Sequence, residues 1–512
     1  KKSSGFGRVK VLLKEFAGDV YSLWRYGAPF PTFLKLIGSL LLCLLVIMPL
    51  VYPIFVAAIT YFTFEGLFLS WWYDQPWRFL PHHISRRAVS MAIRPTCGTE
   101  MWKVREVLTR GVLLAHSLAT SVDYLCVMQG LLDENSKYFL STYTFSVTLF
   151  HWDLPQTLQD LGGWANPKMI DYFRDYSDLC FREFGDKIKS WITFNEPYEI
   201  CEDAYGDVKK APAIDSHGVG NYLCSDTLLK AHAESYHLYN EVYRPKQDGR
   251  IMISINSIWY EPSDPENAEQ VGLAEVANQF KFGWFAHPIF TEEGGYPAVM
   301  IENVRRQSEA EGLPKPRLEQ FDSYWIQRIK GTSDFLGINH YTTHLITGAG
   351  LDPVAKSPSW LKDIGGVTSM DVGGETASEW FRVVPTGFGN LLRWCKSSYN
   401  DPPIYITENG FSDRGTLEDY GRIKYFNDYL SEILNVIYDD GVKILGYTAW
   451  TLMDNFEWRA GFSERFGFYH VDITVPERPR TAKLSADYYR QLIATRELPQ
   501  DDRFKDPAVR TC

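Results

Sequence analysis

The sequence lacks the cysteine patterns that mark metal or redox centres. Its eight cysteines are scattered over 512 residues, and they include no CxxC pair and no other metal-ligand spacing. We therefore expect no metal and no other cofactor, and we expect most of these cysteines to be free or buried thiols rather than a disulfide framework. The chain also lacks an Asn-x-Ser/Thr sequon, so it carries no sign of N-glycosylation.

The chain is short of positive charge. It contains 52 Lys and Arg residues against 63 Asp and Glu residues, which gives a formal net charge of −11 at pH 7. A nucleic-acid interface depends on clustered basic residues, so this balance argues against nucleic acid as a partner. The sequence shows no long-period internal repeat and gives no indication of the oligomeric state. Because it begins at Lys1 rather than Met, we expect a fragment or a processed product.

Charge is absent altogether from one long stretch. Residues 36–64 form 29 consecutive uncharged, mostly apolar positions, which exceeds the roughly 20 residues that cross a bilayer as a helix. We predict a transmembrane helix there, kinked at Pro49 and Pro53; the alternative is a buried helical hairpin broken at these prolines. Seven basic residues lie in residues 1–35 and three, Arg78, Arg86 and Arg87, follow the stretch closely. We therefore expect the bulk of the chain to be extracellular or lumenal, with secretion as the alternative.

From Asp123 onward, short apolar runs alternate with amphipathic stretches. This alternation is typical of βα units, so we predict an α/β fold with a parallel sheet or barrel. The predicted strands are Phe145–His151, Ser190–Asn195, Arg250–Asn256, Asp334–Tyr341, Ile404–Glu408 and Ile444–Leu452. The predicted helices are Pro167–Phe184, Ser225–Val242, Ala274–Phe285 and Gly421–Tyr438.

Two carboxylates stand alone at the ends of predicted strands. Glu196 lies in WITFNEP, residues 191–197, and Glu408 lies in IYITENG, residues 404–410. Pro197 ends the first strand because it cannot donate to the sheet, and Asn-Gly is a turn signal after the second. Active sites of βα barrels lie at such strand ends, and a pair of carboxylates is what glycosidic bond cleavage needs. A solvated Glu is the alternative for either position alone, but two in the same setting indicate a site.

Three further strand ends carry aromatic and hydrogen-bonding side chains. They are FHWDLP at 150–155, DFLGINHY at 334–341 and WTLMDNFEW at 450–458. A Glu between aromatic residues suits sugar recognition, because hydroxyls bind the carboxylate while the apolar face of the sugar packs on an indole. The alternative for the tryptophans is packing in the core.

These motifs together resemble glycoside hydrolase family 1, from about Val147 to Leu498. The resemblance also rests on GWFAHP at 283–288 and ERFG at 464–467. It implies a (β/α)8 TIM-type barrel and a retaining β-glycosidase, with Glu196 as general acid/base and Glu408 as nucleophile. It further implies that Asn195 contacts the sugar 2-hydroxyl and that Asn339 and Tyr341 support Glu408. The residues that it implies for the glycone subsite and its wall are His151, Trp152, Trp450, Glu457, Trp458 and Phe466.

The resemblance also narrows the substrate. Glu196 is present, whereas the plant myrosinases of the family lack the acid/base. Glu457 and Trp458 stand where the phospho-sugar members carry phosphate-binding residues. Unphosphorylated β-glucosides, or related β-galactosides and β-fucosides, are therefore the implied substrates. For catalysis the pKa of Glu196 must be raised, and Glu408 must stay ionised.

The first part of the family pattern is missing. Neither the Gln-Ile-Glu-Gly motif nor the Arg-Phe-Ser motif, which belong to the first two barrel strands, occurs in the chain. We therefore expect a non-family region at 1–122 that contains the transmembrane segment, a barrel at 123–498 without recognisable strands one and two, and a tail at 499–512. An open arc of six strands would leave two unpaired edges. Without the Arg the pKa of Glu408 should rise, and without the Gln transition-state binding should weaken, so low activity is expected.

Two other functions stay open beside the β-glycosidase. One is a catalytically impaired family member that acts as a membrane-tethered binding protein, like the klotho co-receptors. Those members typically lose a catalytic Glu, whereas this chain has both Glu196 and Glu408. The other is a mis-spliced gene product that joins an unrelated membrane segment to a partial barrel, which sequencing of the full transcript would reveal.

Overall fold

The structure is a computed structural model, and it describes residues 146–348 and 358–507. The predicted transmembrane helix at 36–64, the rest of the predicted region 1–122 and the first part of the predicted barrel lie outside the described residues. Among the helices that are described, none combines the length and the hydropathy that crossing a bilayer requires.

A sheet of parallel strands forms the centre of the described chain. The strands are β1 Ser146–Phe150, β2 Ser190–Asn195, β3 Arg250–Pro262, β4 Leu336–Thr347, β5 Val367–Ser369, β6 Gly374–Glu375, β7 Arg382–Val383, β8 Ile404–Gly410, β9 Ile444–Trp450, β10 Tyr469–Val471 and β11 Arg480–Ala482. The sheet has the order β1-β2-β3-β4-β8-β9, every neighbour in it is parallel, and β5 pairs antiparallel with β4. Two small antiparallel pairs, β6–β7 and β10–β11, lie outside this sheet.

Helices fill the connections between these strands. They are α1 Gln156–Gln159, α2 Met169–Phe184, α3 Gly220–Leu238, α4 Arg244–Gln247, α5 Ala268–Asn278, α6 Trp284–Phe290, α7 Ala298–Ala310, α8 Ser323–Ile329, α9 Trp360–Ile364, α10 Pro385–Ser398, α11 Tyr420–Tyr438 and α12 Leu484–Thr495. Three π-helical turns follow β2, α3 and α5, at Glu199–Asp203, Tyr239–Tyr243 and Gln279–Gly283. The result is the alternation of strand and helix that the sequence predicts.

All six predicted strands are present, and they form a parallel half-barrel sheet. The ends of β3 and β4 are the main difference, because these strands run on to Pro262 and Thr347. They continue to pair with each other up to Pro262 and Ile346, beyond the ends of their neighbours, so pairing rather than local pattern sets their length. The four predicted helices correspond to α2, to α3 with its π turn, to α5 with its π turn, and to α11.

Burial differs between the middle and the edges of this sheet. The central strands are almost fully buried; Ile338 in β4 and Ile406 in β8 are inaccessible to solvent. Parallel strands that are covered by helices on one face and packed side chains on the other are expected to look this way. At the edges β1 and β9 are only partly buried, and Leu445 of β9 is 54% exposed.

One disulfide departs from the expectation of mostly free thiols at two of the four cysteines that the structure describes. Cys201, in the π turn after β2, is bonded to Cys224 of α3, with Cα atoms 5.3 Å apart. The spacing of 23 residues gives no hint of this pair, because only the packing of α3 against the turn brings the cysteines together. The expectation is correct for Cys180 and Cys395, which are buried free thiols.

We expect the disulfide to stabilise the fold. Closing a loop of this size restricts the unfolded chain, so the double variant Cys201→Ala/Cys224→Ala should lower the free energy of unfolding by about 2–4 kcal/mol. Urea unfolding followed by circular dichroism measures the difference. Reductant should lower the stability of the wild type to that of the variant and leave the variant unchanged. Equal stability of wild type and variant without reductant would contradict the prediction.

Candidate active site

The polar strand ends that the sequence singles out meet at one edge of the sheet. Because the strands are parallel, their carboxyl ends share that edge. Glu196 follows β2, Asn339 and Tyr341 lie in β4, and Glu408 lies in β8. In the sheet register Asn339 stands opposite Glu408, which places it between the two carboxylate-bearing strands.

Asn339 is the central hydrogen-bonding side chain of this site. Its amide Nδ2 donates to Oε1 of Glu196 at 2.9 Å and to Oδ1 of Asn195 at 3.0 Å. Its Oδ1 accepts from the hydroxyls of Ser254 at 2.8 Å and Thr407 at 2.6 Å. Because these bonds satisfy both ends of the amide, they fix its orientation. Asn339 therefore holds Glu196 in place from the neighbouring strand.

Glu408 has a different partner. The hydroxyl of Tyr341 donates to Oε2 of Glu408 at 2.7 Å. Among the described residues, no ion pair joins Glu408 to a Lys, Arg or His. Both carboxylates are buried, with Glu196 9% exposed and Glu408 8% exposed, so their charged forms are poorly hydrated.

Burial and a neighbouring negative charge raise the pKa values of both carboxyl groups. The pKa of Glu196 rises to about 7, first through burial and then through the negative charge of Glu199. The pKa of Glu408 is raised well above its usual value by burial and by Glu196, although the hydrogen bonds from Tyr341 and Asn339 oppose the rise. Two such carboxyls titrate as a pair, and the raised pKa values favour retention of a proton by the pair. The direction of this shift is the expected one, and among the described residues no cation pairs with Glu408 to oppose it.

Three residues at this edge of the sheet have left-handed backbone conformations. They are Trp152 with φ 78°, Glu196 with φ 53° and Trp458 with φ 42°. Such conformations cost free energy for residues other than glycine and are typical of functional sites. At Glu196 the backbone is held by two hydrogen bonds, from its N–H to Ser254 at 2.8 Å and from the N–H of Ile200 to its carbonyl at 3.2 Å. The strained turn directs the Glu196 side chain over the sheet edge.

Aromatic rings line the side of the site near β1 and β9. The rings of Trp152 and Trp458 are 4.3 Å apart, and the His151 ring lies 6.0 Å from Trp458 and 6.2 Å from Trp450. The indole of Trp152 donates to the carbonyl of Asn195 at 2.9 Å. Burial lowers the pKa of His151 to about 4, so its neutral ring can accept from the Asn195 amide at 3.1 Å. This wall offers flat apolar faces beside neutral hydrogen-bonding groups.

The two remaining predicted residues, Phe466 and Glu457, also lie at the site. Phe466 is buried and packs edge-on against Tyr341, with ring centroids 6.0 Å apart. The pKa of Glu457 is raised to about 7 by burial, by Glu464 and by Glu196, so Glu457 lies within electrostatic range of the acid pair. The structure thus brings all of the residues predicted from the sequence into one region.

Sequence comparison identifies the family. The model of the family Glycosyl hydrolase family 1 matches residues 128–498. The chain belongs to glycosyl hydrolase family 1. The chain is 42% identical to myrosinase 1 of Brevicoryne brassicae over 351 residues, which are 68% of this chain and 74% of the relative. It is 45% identical to human lactase/phlorizin hydrolase over 367 residues, 71% of this chain, but spans only 18% of that relative's length.

Solved structures of family 1 proteins have the same fold. An aphid myrosinase aligns with a TM-score of 0.66 at 40% identity, covering 72% of this chain and 78% of its own. A rice β-glucosidase aligns with a TM-score of 0.65 at 34% identity and the same coverage. These neighbours are family 1 TIM-barrel enzymes, so the half-barrel of the described residues is part of a family 1 fold.

Four residues near the family 1 site were not predicted from the sequence. Glu199, Lys210 and Lys281 form an ion cluster behind Glu196, and the ring of Trp380 lies 5.9 Å from Tyr341. The position of Glu199 three residues after Glu196, on one helical turn, was the available signal. Trp380 lies between β6 and β7, where no periodic pattern points to a site.

The hydroxyl of Tyr341 gives a prediction about pH dependence. Tyr341→Phe removes a hydrogen bond to ionised Glu408 worth about 1.5–3 kcal/mol, which raises the pKa of Glu408 further. If hydrolysis needs ionised Glu408, the acidic limb of the pH–rate profile should move about 1–2 units to higher pH. The rate with an aryl β-glucoside, measured across pH, tests this.

The matched control is Tyr438→Phe, because Tyr438 is 80% exposed at the end of α11. It should leave the profile unchanged. An acidic limb at the wild-type position in Tyr341→Phe would show that the hydroxyl does not act on Glu408.

Proposed function

We propose that this protein is a retaining β-glycosidase that hydrolyses unphosphorylated β-D-glucosides or the related β-galactosides and β-fucosides. In this proposal Glu196 is the general acid/base and Glu408 is the nucleophile. The observation that carries the proposal is the hydrogen-bonded group of two buried carboxyls, in which Asn339 holds Glu196 and Tyr341 holds Glu408. Membership of glycosyl hydrolase family 1 supports the reaction class.

The first step forms a covalent glycosyl-enzyme. Glu408 attacks the anomeric carbon while Glu196 gives its proton to the glycosidic oxygen, and the aglycone leaves as an alcohol. In the second step Glu196, now ionised, takes a proton from water, and the water oxygen displaces Glu408 from the anomeric carbon. Two inversions leave the sugar with its original β configuration.

The proposed mechanism needs one proton on the pair, carried by Glu196 while Glu408 is ionised. A hydroxyl that donates to a carboxylate favours the ionised form, so Tyr341 favours charge on Glu408. Burial and then the charge of Glu199 raise the pKa of Glu196 to about 7, and burial and the charge of Glu196 also raise the pKa of Glu408. In the proposal the proton of the pair is on Glu196, because Glu408 is the carboxylate that accepts from the Tyr341 hydroxyl. An acid with this pKa is suited to donate and accept near neutral pH.

The aromatic wall and Glu457 supply the proposed glycone subsite. The rings of Trp152, Trp450 and Trp458 offer faces for the apolar side of a sugar, and Asn195 and His151 offer hydrogen bonds to its hydroxyls. A carboxyl group at Glu457 accepts from sugar hydroxyls and repels a phosphate group. This arrangement favours an unphosphorylated sugar.

The names of relatives are consistent with this substrate class. They include the human lactase/phlorizin hydrolase and the human cytosolic β-glucosidase, which is 39% identical over 361 residues. A variant of the rice β-glucosidase has been solved in a covalent complex with glucose, which supports a covalent intermediate in our proposal.

For the location of the site we propose an extracellular or lumenal compartment. The disulfide between Cys201 and Cys224 supports this, because disulfides persist in oxidising compartments and are rare in the cytosol. Attachment to a membrane through residues 36–64 stays a prediction from the sequence.

Product stereochemistry tests the proposal. The full chain is incubated with an aryl β-glucoside, and proton NMR in the first minutes should show the β-anomer of glucose before mutarotation. A fluoroglucoside inactivator should label Glu408, as read by peptide mass. Folded protein that gives neither glucose nor label would refute the proposal and favour the tethered binding protein. A panel of β-glucoside, β-galactoside, β-fucoside and phosphorylated β-glucoside ranks the glycones.

A further inference from the structure

A second buried carboxylate lies one helical turn beyond Glu196. Glu199 accepts from three donors: Nζ of Lys210 at 2.6 Å, Nζ of Lys281 at 3.0 Å and the amide of Asn256 at 2.8 Å. Its side chain is only 14% exposed. Such a cluster needs an explanation, because burying several ions is costly and does not by itself stabilise a fold.

The turn that carries Glu199 is tied down on both sides. It continues directly from Glu196, whose carbonyl accepts from the N–H of Ile200 at 3.2 Å. Two residues later Cys201 is bonded to Cys224 of α3, and Glu202 accepts from the amide of Asn221 at 2.5 Å. These contacts fix the distance between Glu199 and Glu196. A charged side chain on a flexible surface segment would not be fixed in this way.

Both lysines of the cluster lie against aromatic rings and close to the site. The Lys281 ammonium is 3.3 Å from the centroid of Tyr198, and Lys281 is 1% exposed. The Lys210 ammonium lies 3.9 Å from the ring centroid of Trp152, which belongs to the aromatic wall. Both lysines act on Glu196 and favour loss of its proton. An acid with two cations nearby would be ionised too readily to donate a proton.

The cluster also contains Asp203, but its carboxyl group does not supply a second negative charge to balance the two lysines. Burial and the charge of Glu199 raise the pKa of Asp203 well above its usual value, which favours the neutral form of Asp203 hydrogen-bonded to Glu199. Lys210 and then Lys281 outweigh the effect of burial and hold the pKa of Glu199 well below its usual value, so Glu199 carries the negative charge. With Asp203 in its neutral form, the cluster contains the positive charges of Lys210 and Lys281 and the negative charge of Glu199.

We propose that Glu199 is a positioning residue for the reaction, whose fixed charge offsets Lys210 and Lys281 and so keeps the proton on Glu196 between turnovers. The inference rests on the proposed function of Glu196 as acid/base. In this proposal the ion cluster contributes to catalysis by controlling the protonation of Glu196 from behind the sheet edge.

The other groups that face Glu196 come from the remaining strands. Glu408 in β8 and Glu457 after β9 are acidic and act in the same direction as Glu199. Tyr341 of β4 and His151 after β1 are neutral, because burial raises the pKa of the phenol and lowers that of the imidazole. Among the described residues, Lys210 and Lys281 are thus the cations that act on Glu196 and that Glu199 must offset.

Glu199→Gln is the test, because the amide keeps the size of the side chain and an oxygen that can accept from Lys281. In the variant the two lysines are uncompensated. The basic limb of the kcat/KM profile, which reports deprotonation of Glu196, should move to lower pH by about one unit or more. Glu199→Asp keeps the charge and should restore the limb towards its wild-type position. A merely structural role would lower the rate at every pH without moving the limb.

Leaving groups give a second readout. A dinitrophenyl β-glucoside needs little proton donation, so the rate of its first step should change much less in Glu199→Gln than that of an alkyl β-glucoside. If Glu199→Gln does not fold, Lys210→Met provides the opposite test, because Lys210 is 25% exposed. Removing this cation should move the basic limb to higher pH. An unmoved limb in the folded variant overturns the inference.

An activity-independent titration separates this inference from the proposed function. NMR of protein labelled with carbon-13 at the glutamate carboxyl reports the protonation of Glu196, whose signal is assigned by its loss in Glu196→Gln. If the wild type shows no turnover but the Glu196 titration moves to lower pH in Glu199→Gln, the proposed function fails and the charge effect stands. If the titration does not move, the inference fails whatever the activity.

Discussion

Glu408→Gln is expected to abolish hydrolysis, with a loss on the order of 10⁴–10⁶-fold in kcat for an aryl β-glucoside. The amide is a poor nucleophile and cannot form the covalent glycosyl-enzyme, whereas the space and the hydrogen bond from Tyr341 at 2.7 Å are kept. The variant should also resist labelling by the fluoroglucoside inactivator. Initial rates and the mass of the peptide that contains residue 408 measure both effects.

The control for Glu408→Gln is Glu302→Gln in α7. The Glu302 side chain is 59% exposed and pairs with Arg305 on the surface, so the substitution changes the same charge without touching the site. It should keep wild-type rate and labelling. If Glu408→Gln lost less than about tenfold in rate, or if the label appeared on another residue, Glu408 would not be the nucleophile.

The strand ends of the site could be predicted because local signals coincide there. An apolar run, a breaker such as Pro197 and a polar residue between them mark the end of β2, and the same holds for Glu408 before its Asn-Gly turn. In a parallel sheet such ends must meet at one edge, so a pattern along the chain becomes a pattern in space. The lengths of β3 and β4 could not be predicted in this way, because they depend on mutual pairing beyond Asn256.

Features that depend on packing between distant segments were not predictable from the sequence. Lys281 meets Glu199 across 82 residues of sequence, through the π turn that follows α5. The disulfide between Cys201 and Cys224 likewise depends on how α3 packs on the turn after β2. No periodic pattern in the sequence indicates either pair, because the partners lie on segments that meet only in the folded chain.

The charge balance of the described site explains why its two carboxyls behave so differently from an exposed pair. Among the described residues, the cations of the site lie behind Glu196, and Glu408 is supported by the Tyr341 hydroxyl and by Asn339. Burial and Glu196 therefore raise the pKa of Glu408. Any positive group that approached Glu408 would lower this pKa and favour the nucleophile in its reactive form.

Glu196→Gln is expected to produce a defect that depends on the leaving group. Loss of general acid catalysis should slow the hydrolysis of an alkyl β-glucoside by about 10²–10⁴-fold. Dinitrophenolate leaves without needing a proton. The first step with a dinitrophenyl β-glucoside should therefore proceed and give a burst of one phenolate per active site. The second step then becomes slow, because no base remains to activate water. Stopped-flow absorbance separates the burst from the steady state.

Azide distinguishes the acid/base role of Glu196 from a general loss of structure. Azide is an anion and attacks the glycosyl-enzyme without help from a general base. It should therefore restore steady-state turnover of Glu196→Gln and release a β-glycosyl azide. The basic limb of the pH profile, which the pKa of about 7 places near neutrality in the wild type, should disappear in the variant. Glu408→Gln should show no burst, because it cannot form the intermediate. The assignment would be contradicted if Glu196→Gln lowered the rates on both substrates equally and showed neither a burst nor azide rescue. Loss of the acid/base alone must leave the first step of the dinitrophenyl substrate largely intact, because that step needs no proton.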